Sequence, residues 1–290
     1  MSDTQKGILA MIAASMIWGL SPIFYKALSH IPAPEVLAHR TGWSLVIFSG
    51  LLMLQGRLGE IRAALSTRRQ IAMIAFASAM ISANWYLFIV SIQIGRATEA
   101  SLGYYIFPLV AVLVGRFVFG ERLGPGQWLA VALATIAVAV LTYGLGVAPW
   151  VSLVLATSFG LYGVVKKMLP VGPVVSVTCE TLFFLPIGLG ILIASHGAGQ
   201  GAFGQNFTDS TLLILSGPMT ALPLILFSYA ARRVAMATVG LLQYINPTLQ
   251  FLIAVFVFGE AFTLWHQIAF ALIWAALVIF SVASLRQNRA

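Results

Sequence analysis

Ten apolar stretches of about 20 residues each follow one another along this chain with short breaks between them, and that pattern leaves few folds open. They run roughly over 7–27, 34–54, 71–94, 98–119, 127–145, 148–166, 173–195, 211–230, 236–258 and 264–284. Each is long enough to cross a hydrocarbon core of about 30 Å as a helix, and a helix satisfies every backbone N–H and C=O internally where no water can. Strands of a membrane barrel would alternate apolar and polar residues in shorter runs, and that period does not dominate here. Hydrophobic residues make up 60% of the chain and charged ones 8%, with a mean hydropathy of +0.97. Soluble domains do not have that composition. The expected fold is all-α and integral to the membrane, with ten transmembrane helices.

The chain also repeats itself. Aligned at a shift of 139 positions, Ala97–Glu121 and Met236–Glu260 share ten identical residues out of 25, including the run Phe117-Val118-Phe119-Gly120-Glu121 against Phe256-Val257-Phe258-Gly259-Glu260. A weaker echo joins Trp18-Gly19-Leu20 and Lys26 to Phe159-Gly160-Leu161 and Lys167. The two halves are expected to be residues 1–146 and 147–290, one five-helix repeat each, within a single membrane domain. Five is odd, so the second repeat enters the membrane from the opposite side and the repeat is inverted. Internal repeats with a site at their interface are the sequence mark of secondary transporters.

Charge sets the orientation. With the N-terminus in the cytoplasm, the inner segments hold Lys6, Arg57, Arg62, Arg68, Arg69, Arg116, Arg122, Lys166, Lys167, Arg232, Arg233, Arg286 and Arg289, which is 13 of the 16 basic residues. Lys26, Arg40 and Arg96 remain toward the outside, and both termini are expected in the cytoplasm. The net charge of +8 is therefore read as a topology signal; nucleic-acid binding would need those residues gathered on one soluble face. The first apolar run is too long for a signal peptide and enters a multi-span chain, so it is read as an uncleaved helix. The single cysteine, Cys179, forms no intrachain disulfide and reads as a packing residue. The Gly-rich stretch His196–Ser210 reads as a flexible outer loop.

Catalytic and cofactor motifs do not emerge. There is no phosphate-cradling glycine loop, and no His/Cys cluster at metal-ligand spacing, so neither cofactor nor metal is expected. Glu35 and His39, one helical turn apart, come nearest, and read more naturally as an interfacial hydrogen bond.

The string Pro32-Ala33-Pro34-Glu35-Val36-Leu37-Ala38-His39-Arg40, with Asn84-Trp85, Glu99-Ala100-Ser101-Leu102-Gly103-Tyr104, Glu180-Thr181-Leu182 and Gln243-Tyr244-Ile245-Asn246-Pro247-Thr248, resembles the RarD-type permeases of the EamA branch of the drug/metabolite transporter superfamily. The resemblance runs nearly end to end. It implies two inverted five-helix repeats, with helices 1–4 and 6–9 around a central cavity and helices 5 and 10 at the periphery. Where the first repeat of that family tends to carry Asn before the helix-4 proline, this chain has Phe107-Pro108.

Ionisable residues inside a bilayer are costly unless they face a wet cavity or a partner, so each is a candidate site residue. Glu180 lies about 12 Å inside its helix at 1.5 Å per residue. There it must carry a proton, or pair with Arg40 or a cationic substrate, or serve a structural hydrogen bond. Arg40 sits about 140° around its helix from Glu35 and needs a partner on another helix. Glu99 and Lys26 lie near the outer boundary, where long side chains snorkel to water. Gln243, Asn246, Pro247 and Gln250 form a polar stripe at i, i+3, i+4 and i+7. The equivalent residues of the first repeat are Tyr104, Phe107, Pro108 and Ala111. If both stripes face one cavity, amides on one side and rings on the other would hold an amphipathic molecule; otherwise the amides join helices. Trp18, Trp43, Trp85, Tyr105, Tyr162 and Tyr244 lie away from the interfacial belts, where they line a cavity or pack. Pro108 and Pro247 each remove a helix hydrogen bond and are candidate hinges.

The candidate cavity set is thus Trp18, His39, Arg40, Trp43, Asn84, Trp85, Glu99, Tyr104, Tyr105, Glu180, Gln243, Tyr244 and Asn246. The expected function is a permease of the bacterial inner membrane, exporting small organic metabolites or amphipathic drugs, with the lipid bilayer and a small-molecule substrate as partners and no nucleic acid. A membrane enzyme or a non-transporting receptor or scaffold is the alternative. Substrate, coupling and oligomeric state are not legible.

Overall fold

A computed structural model describes residues 1–120, 123–146, 148–234 and 236–287. Glu121, Arg122 and Arg289, which entered the repeat and the charge count, lie outside the described residues. Within them the chain is helical: α1 Asp3–Ala27, α2 Ala33–Leu54, α3 Gly59–Ala64, α4 Arg68–Gln93, α5 Ala97–Phe119, α6 Pro125–Leu145, α7 Trp150–Met168, α8 Pro173–Gly197, α9 Phe207–Ala231, α10 Met236–Gln243, α11 Ile245–Leu252 and α12 Leu264–Gln287. Nine of these are long and apolar enough to cross a membrane, and the α10–α11 segment, continued by a π-helical turn at Ile253–Val257, makes the tenth span. The short α3, between α2 and α4, was not expected.

Local chemistry places the ends. Ser2 and Gln5 form a reciprocal capping box on α1, Thr67 accepts the Gln70 N–H of α4, and Asn206 accepts the Asp209 N–H of α9. Prolines open α2, α6 and α8 within their first turn, where the missing N–H costs nothing. The N-terminus of α5 is capped across the repeat: the Glu260 carboxylate accepts the N–H groups of Ala97 (2.6 Å) and Thr98 (2.7 Å). The acid that closes the second Phe-Val-Phe-Gly-Glu run therefore stabilises the helix that carries the first.

Packing obeys the repeat. Matching α1 to α7, α2 to α8, α4 to α9, α5 to α10–α11 and α6 to α12, each major contact has its counterpart: α5 packs on α7 as α11 packs on α1, α4 on α7 as α9 on α1, and α2 on α9 as α4 on α8. The pairs α2–α8, α6–α12 and α5–α11 map onto themselves. The echoed glycines explain themselves here. A Cβ on Gly19 would sit 2.8 Å from Leu249, and one on Gly160 would sit 3.2 Å from Val110. Leu249 and Val110 are themselves 139 positions apart, so both repeats use a glycine on the first helix to let the partner's fourth approach. The helices α6 and α12 pair at the periphery, where the Trp265 ring seats over Gly144.

The two prolines behave differently. α5 runs without a break through Pro108, whereas the ninth span breaks at Tyr244, just before Pro247, and loosens again into the π turn.

Candidate functional site

Helices α1, α2, α4 and α9 converge on Arg40, the eighth residue of α2. It is only 6% exposed. Its Nε–H donates to Thr220 Oγ1 of α9 (2.8 Å), and Thr220 donates on to the Ser216 carbonyl (3.2 Å). The guanidinium lies over the Trp85 ring of α4, 4.2 Å from its centroid, and 5.5 Å from that of Tyr25 on α1. Among the described residues no carboxylate comes within 4.0 Å of it. Ring faces attract a desolvated guanidinium by about 2 kcal/mol but do not neutralise it.

Glu180, the eighth residue of α8, is 1% exposed and fully engaged. Its Oε1 accepts from Lys166 Nζ (2.8 Å) and Ser176 Oγ (2.7 Å), and its Oε2 accepts from the Tyr162 hydroxyl (3.0 Å). Lys166 also donates to Ser176 Oγ (2.6 Å), and Ser78 Oγ of α4 donates to the Glu180 carbonyl (2.7 Å). Arg40, one of the partners the sequence left open for Glu180, is turned to Thr220 and Trp85 instead. Lys166, one helix back and close to the end of α7, reaches Glu180 first.

Beyond Arg40, α2 carries a covered surface. Of the stretch His196–Ser210, expected as a flexible outer loop, the two ends belong to α8 and α9, and the residues between, 198–206, are tied down on that surface. Phe203 stacks on His39 (4.9 Å, 28° between planes) and leans on Trp43 (6.3 Å). The Ala202 N–H donates to Glu35 Oε1 (2.7 Å), and His196 Nε2 donates to the Phe203 carbonyl (3.1 Å). Glycine gives this loop its turns, at Gly199 and Gly204 with positive φ, but the ring of Phe203 and the Glu35 carboxylate decide where it lies. Glu35 and His39 thus hold a loop, and Glu35 Oε2 and His39 Nε2 are left buried without partners.

The remaining candidates separate into packing groups. Asn84 is a clasp: its Nδ2 donates to the Leu155 carbonyl and to Ser158 Oγ (both 2.9 Å), while its Oδ1 accepts from the Tyr104 hydroxyl (3.0 Å). That spends all its near partners on α5 and α7. Tyr105 and Tyr244 turn toward α12, stacked on each other at 6.5 Å, with Phe270 and Trp274 edge-on to Tyr105. Glu99 pairs with Arg96 at the end of α5 (3.3 Å), and Lys26 lies 5.6 Å from the Phe258 ring centroid. In the polar stripe, Gln250 Nε2 donates to Asn246 Oδ1 (2.8 Å) and approaches the Trp18 carbonyl (3.5 Å), so these amides face α1. Gln243 is half-buried one turn earlier. Tyr104 and Phe107 meet Phe159 of α7 instead. The idea that amides and rings face each other across one cavity gives way to the repeat: each stripe addresses the first helix of the other half.

Sequence reasoning missed Tyr25, Thr220, Lys166 and Phe203. Lys166 had a signal, since a buried carboxylate calls for a cation within reach. Phe203 had one too, as the aromatic of a glycine-rich loop that has no other reason to be there.

A cavity of about 250 Å³ opens between α2, α4 and α8, lined by Pro34, Leu37, Ser82, Ala83, Tyr86, Phe184 and Ile191. It is almost wholly apolar.

Residues 5–143 match the EamA-like transporter family. An uncharacterized transporter of Vibrio cholerae is 42% identical over 289 residues, covering 99% of this chain and 96% of the relative. The protein RarD of Streptomyces exfoliatus is 42% identical over 290 residues, covering 99% and 92%. One solved crystal structure superposes with a TM-score of 0.63 at 17% identity, covering 98% of this chain and 99% of the other, which speaks for the fold alone. With near-complete coverage at that identity, and with the ten spans and repeat packing described above, the chain belongs to the EamA branch of the drug/metabolite transporter superfamily, among its RarD-type members.

Proposed function

We propose that the protein is a secondary transporter that exports small organic molecules with an apolar body across the bacterial cytoplasmic membrane by alternating access. Residues 1–146 and 147–290 are the two moving units, and the face rich in Lys and Arg, with both termini, is the cytoplasmic one. The observation that carries this reading is the exchange of helix contacts between the halves, in which every major cross-repeat pair has its mirror. Such an interface has two equivalent arrangements, one opening each face, and these are what alternating access requires. In this reading the loop that places Phe203 over His39 and Trp43 closes the outer side, and the break at Tyr244 with Pro247 gives the ninth span its place to bend. The polar contacts available for cargo are those of Arg40 and the α11 amides.

The test is counterflow in reconstituted vesicles, with a panel of labelled aromatic acids, amines and neutral amides. Saturable exchange, accelerated by unlabelled compound on the far side and faster in Phe203→Ala, is the expected result. No counterflow with any member of the panel, in protein that melts cooperatively, would overturn the transport reading.

A further inference from the structure

We infer that Arg40, Trp85, Tyr25 and Thr220 form a carboxylate-binding site, and that the cargo is a monocarboxylate with a planar or aromatic body. The inference names the substrate class of the transport reading and rests on that reading for the bound molecule being cargo.

Arg40 is more than nine-tenths buried, and a buried ion costs several kcal/mol unless a counter-charge repays it. Its Nε is used by Thr220, but its two terminal amino groups donate to no acceptor among the described residues. Neither is sealed among the fully enclosed orphan atoms, so both retain accessible surface. Trp85 and Tyr25 cover the guanidinium through ring faces, which fix its plane and leave its edge to whatever arrives. An edge with two parallel N–H donors matches the two oxygens of a carboxylate. The Trp85 face beside it offers apolar surface to the rest of such a molecule. The equivalent position of the other repeat sharpens the case. Glu180 is met by Lys166, Ser176 and Tyr162, and so needs nothing from outside, whereas among the described residues no counter-charge meets Arg40.

A phosphate would be the rival ligand, but the dianion normally gathers more than one cation. Among the described residues no Lys or Arg joins Arg40 against Tyr25 or Trp85. An amine is disfavoured because the site would then hold two positive charges with no acid beside them.

The test is thermal stabilisation of the purified full chain in detergent by four probes of one shape: phenylacetate, phenylacetamide, phenyl phosphate and phenethylamine. Ligand that binds only the folded state raises the melting temperature. Phenylacetate is expected to stabilise and the other three not. Arg40→Gln should weaken phenylacetate by about 10- to 100-fold, the loss typical of a charged hydrogen-bonding partner. Arg40→Lys, which keeps charge but not the fork, should fall between, with the preference for the acid over the amide retained. Equal stabilisation by phenylacetamide, stronger stabilisation by phenyl phosphate, an unchanged preference in Arg40→Gln, or no shift with phenylacetate at millimolar concentration would each overturn the carboxylate site. Vesicle counterflow separates the two claims. Exchange of phenethylamine with phenylacetate inert leaves transport standing and the substrate class wrong; phenylacetate binding without any exchange leaves the site standing and transport wrong.

Discussion

Arg40 and Glu180 occupy the same place in the two repeats, the eighth residue of the second helix of each, and yet they are solved in opposite ways. Around Glu180 the protein supplies a cation and two hydroxyls, all within 3.0 Å, and closes the charge. Around Arg40 it supplies one hydroxyl and two ring faces, and leaves the charge open. Pseudo-symmetry conserves the position of a charge here without conserving its sign or its balance. One cluster therefore reads as structure and the other as a place for a ligand.

The largest expected effect tests that division. Removing one partner of a buried ion pair strands the other, at about 3–5 kcal/mol, so Lys166→Met or Glu180→Gln should sharply lower the melting temperature of the purified protein. The double substitution removes both charges and should recover most of the loss. Arg40→Gln strands no counter-ion, losing only the Thr220 hydrogen bond and the two ring contacts, and should lower the melt far less. An Arg40→Gln variant that melts as early as Lys166→Met would erase the comparison.

The next effect is steric and concerns the echoed glycines. Gly19→Ala forces a methyl to within 2.8 Å of Leu249, tighter than side chains tolerate, while Gly160→Ala meets Val110 at 3.2 Å. Overpacking of this kind costs about 1–3 kcal/mol. Gly19→Ala should lie toward the upper end and Gly160→Ala toward the lower, read as midpoints of denaturation in mixed micelles. The reverse order would mean that the halves are less alike in their close approach than the matched contacts indicate.

A smaller loss is expected at Glu260. Its two bonds to the first turn of α5 act as a cap supplied from the other repeat, and losing a cap costs about 1 kcal/mol. Glu260→Ala should speed hydrogen exchange at Ala97 and Thr98 while leaving α12 unaffected. Unchanged exchange at those two amides would show that the cap is idle.

The features legible in the sequence are those that depend on one helix at a time. The spans followed from runs of apolar residues, because a membrane leaves a helix no other partner for its backbone. The fold class followed from those same runs and the composition, and the family from strings such as Glu35–Arg40 that carry the resemblance. Which face each polar residue turns was not legible, because that depends on which neighbour stands a few ångströms away. Asn84 and Glu180 read as cavity residues and turned out to be satisfied by Leu155, Ser158, Lys166 and Tyr162, partners on a different helix. Tyr105 and Tyr244 adjoin Tyr104 and Gln243 of the two stripes, but one residue along a helix is about 100° of rotation, enough to turn them to α12. The stretch His196–Ser210 looked free because glycine signals freedom, and the signal that counted was Phe203.

The smallest expected effect supplies the control for all of these. Arg57 and Glu60 form an ion pair as short as the buried one, at 2.7 Å, but at the edge of the membrane domain beside α3 and open to solvent. The guanidinium hydrogen-bonds to the Glu60 carboxylate and holds it below the usual carboxylate range. A depressed folded-state value contributes above the ordinary carboxylate range and is lost as the pH falls through it, so any stabilisation should fade only in acid. Solvent screens the pair, both side chains give up rotamer freedom to make it, and such bridges typically contribute little. Glu60→Gln should therefore lower the melting temperature only slightly at neutral pH, with the difference from the parent protein vanishing in acid, while Glu180→Gln lowers the neutral-pH melt far more. If the two glutamines had equal effects at neutral pH, ion-pair distance alone would govern stability here, and the contrast between a closed charge at Glu180 and an open one at Arg40 would lose its physical basis.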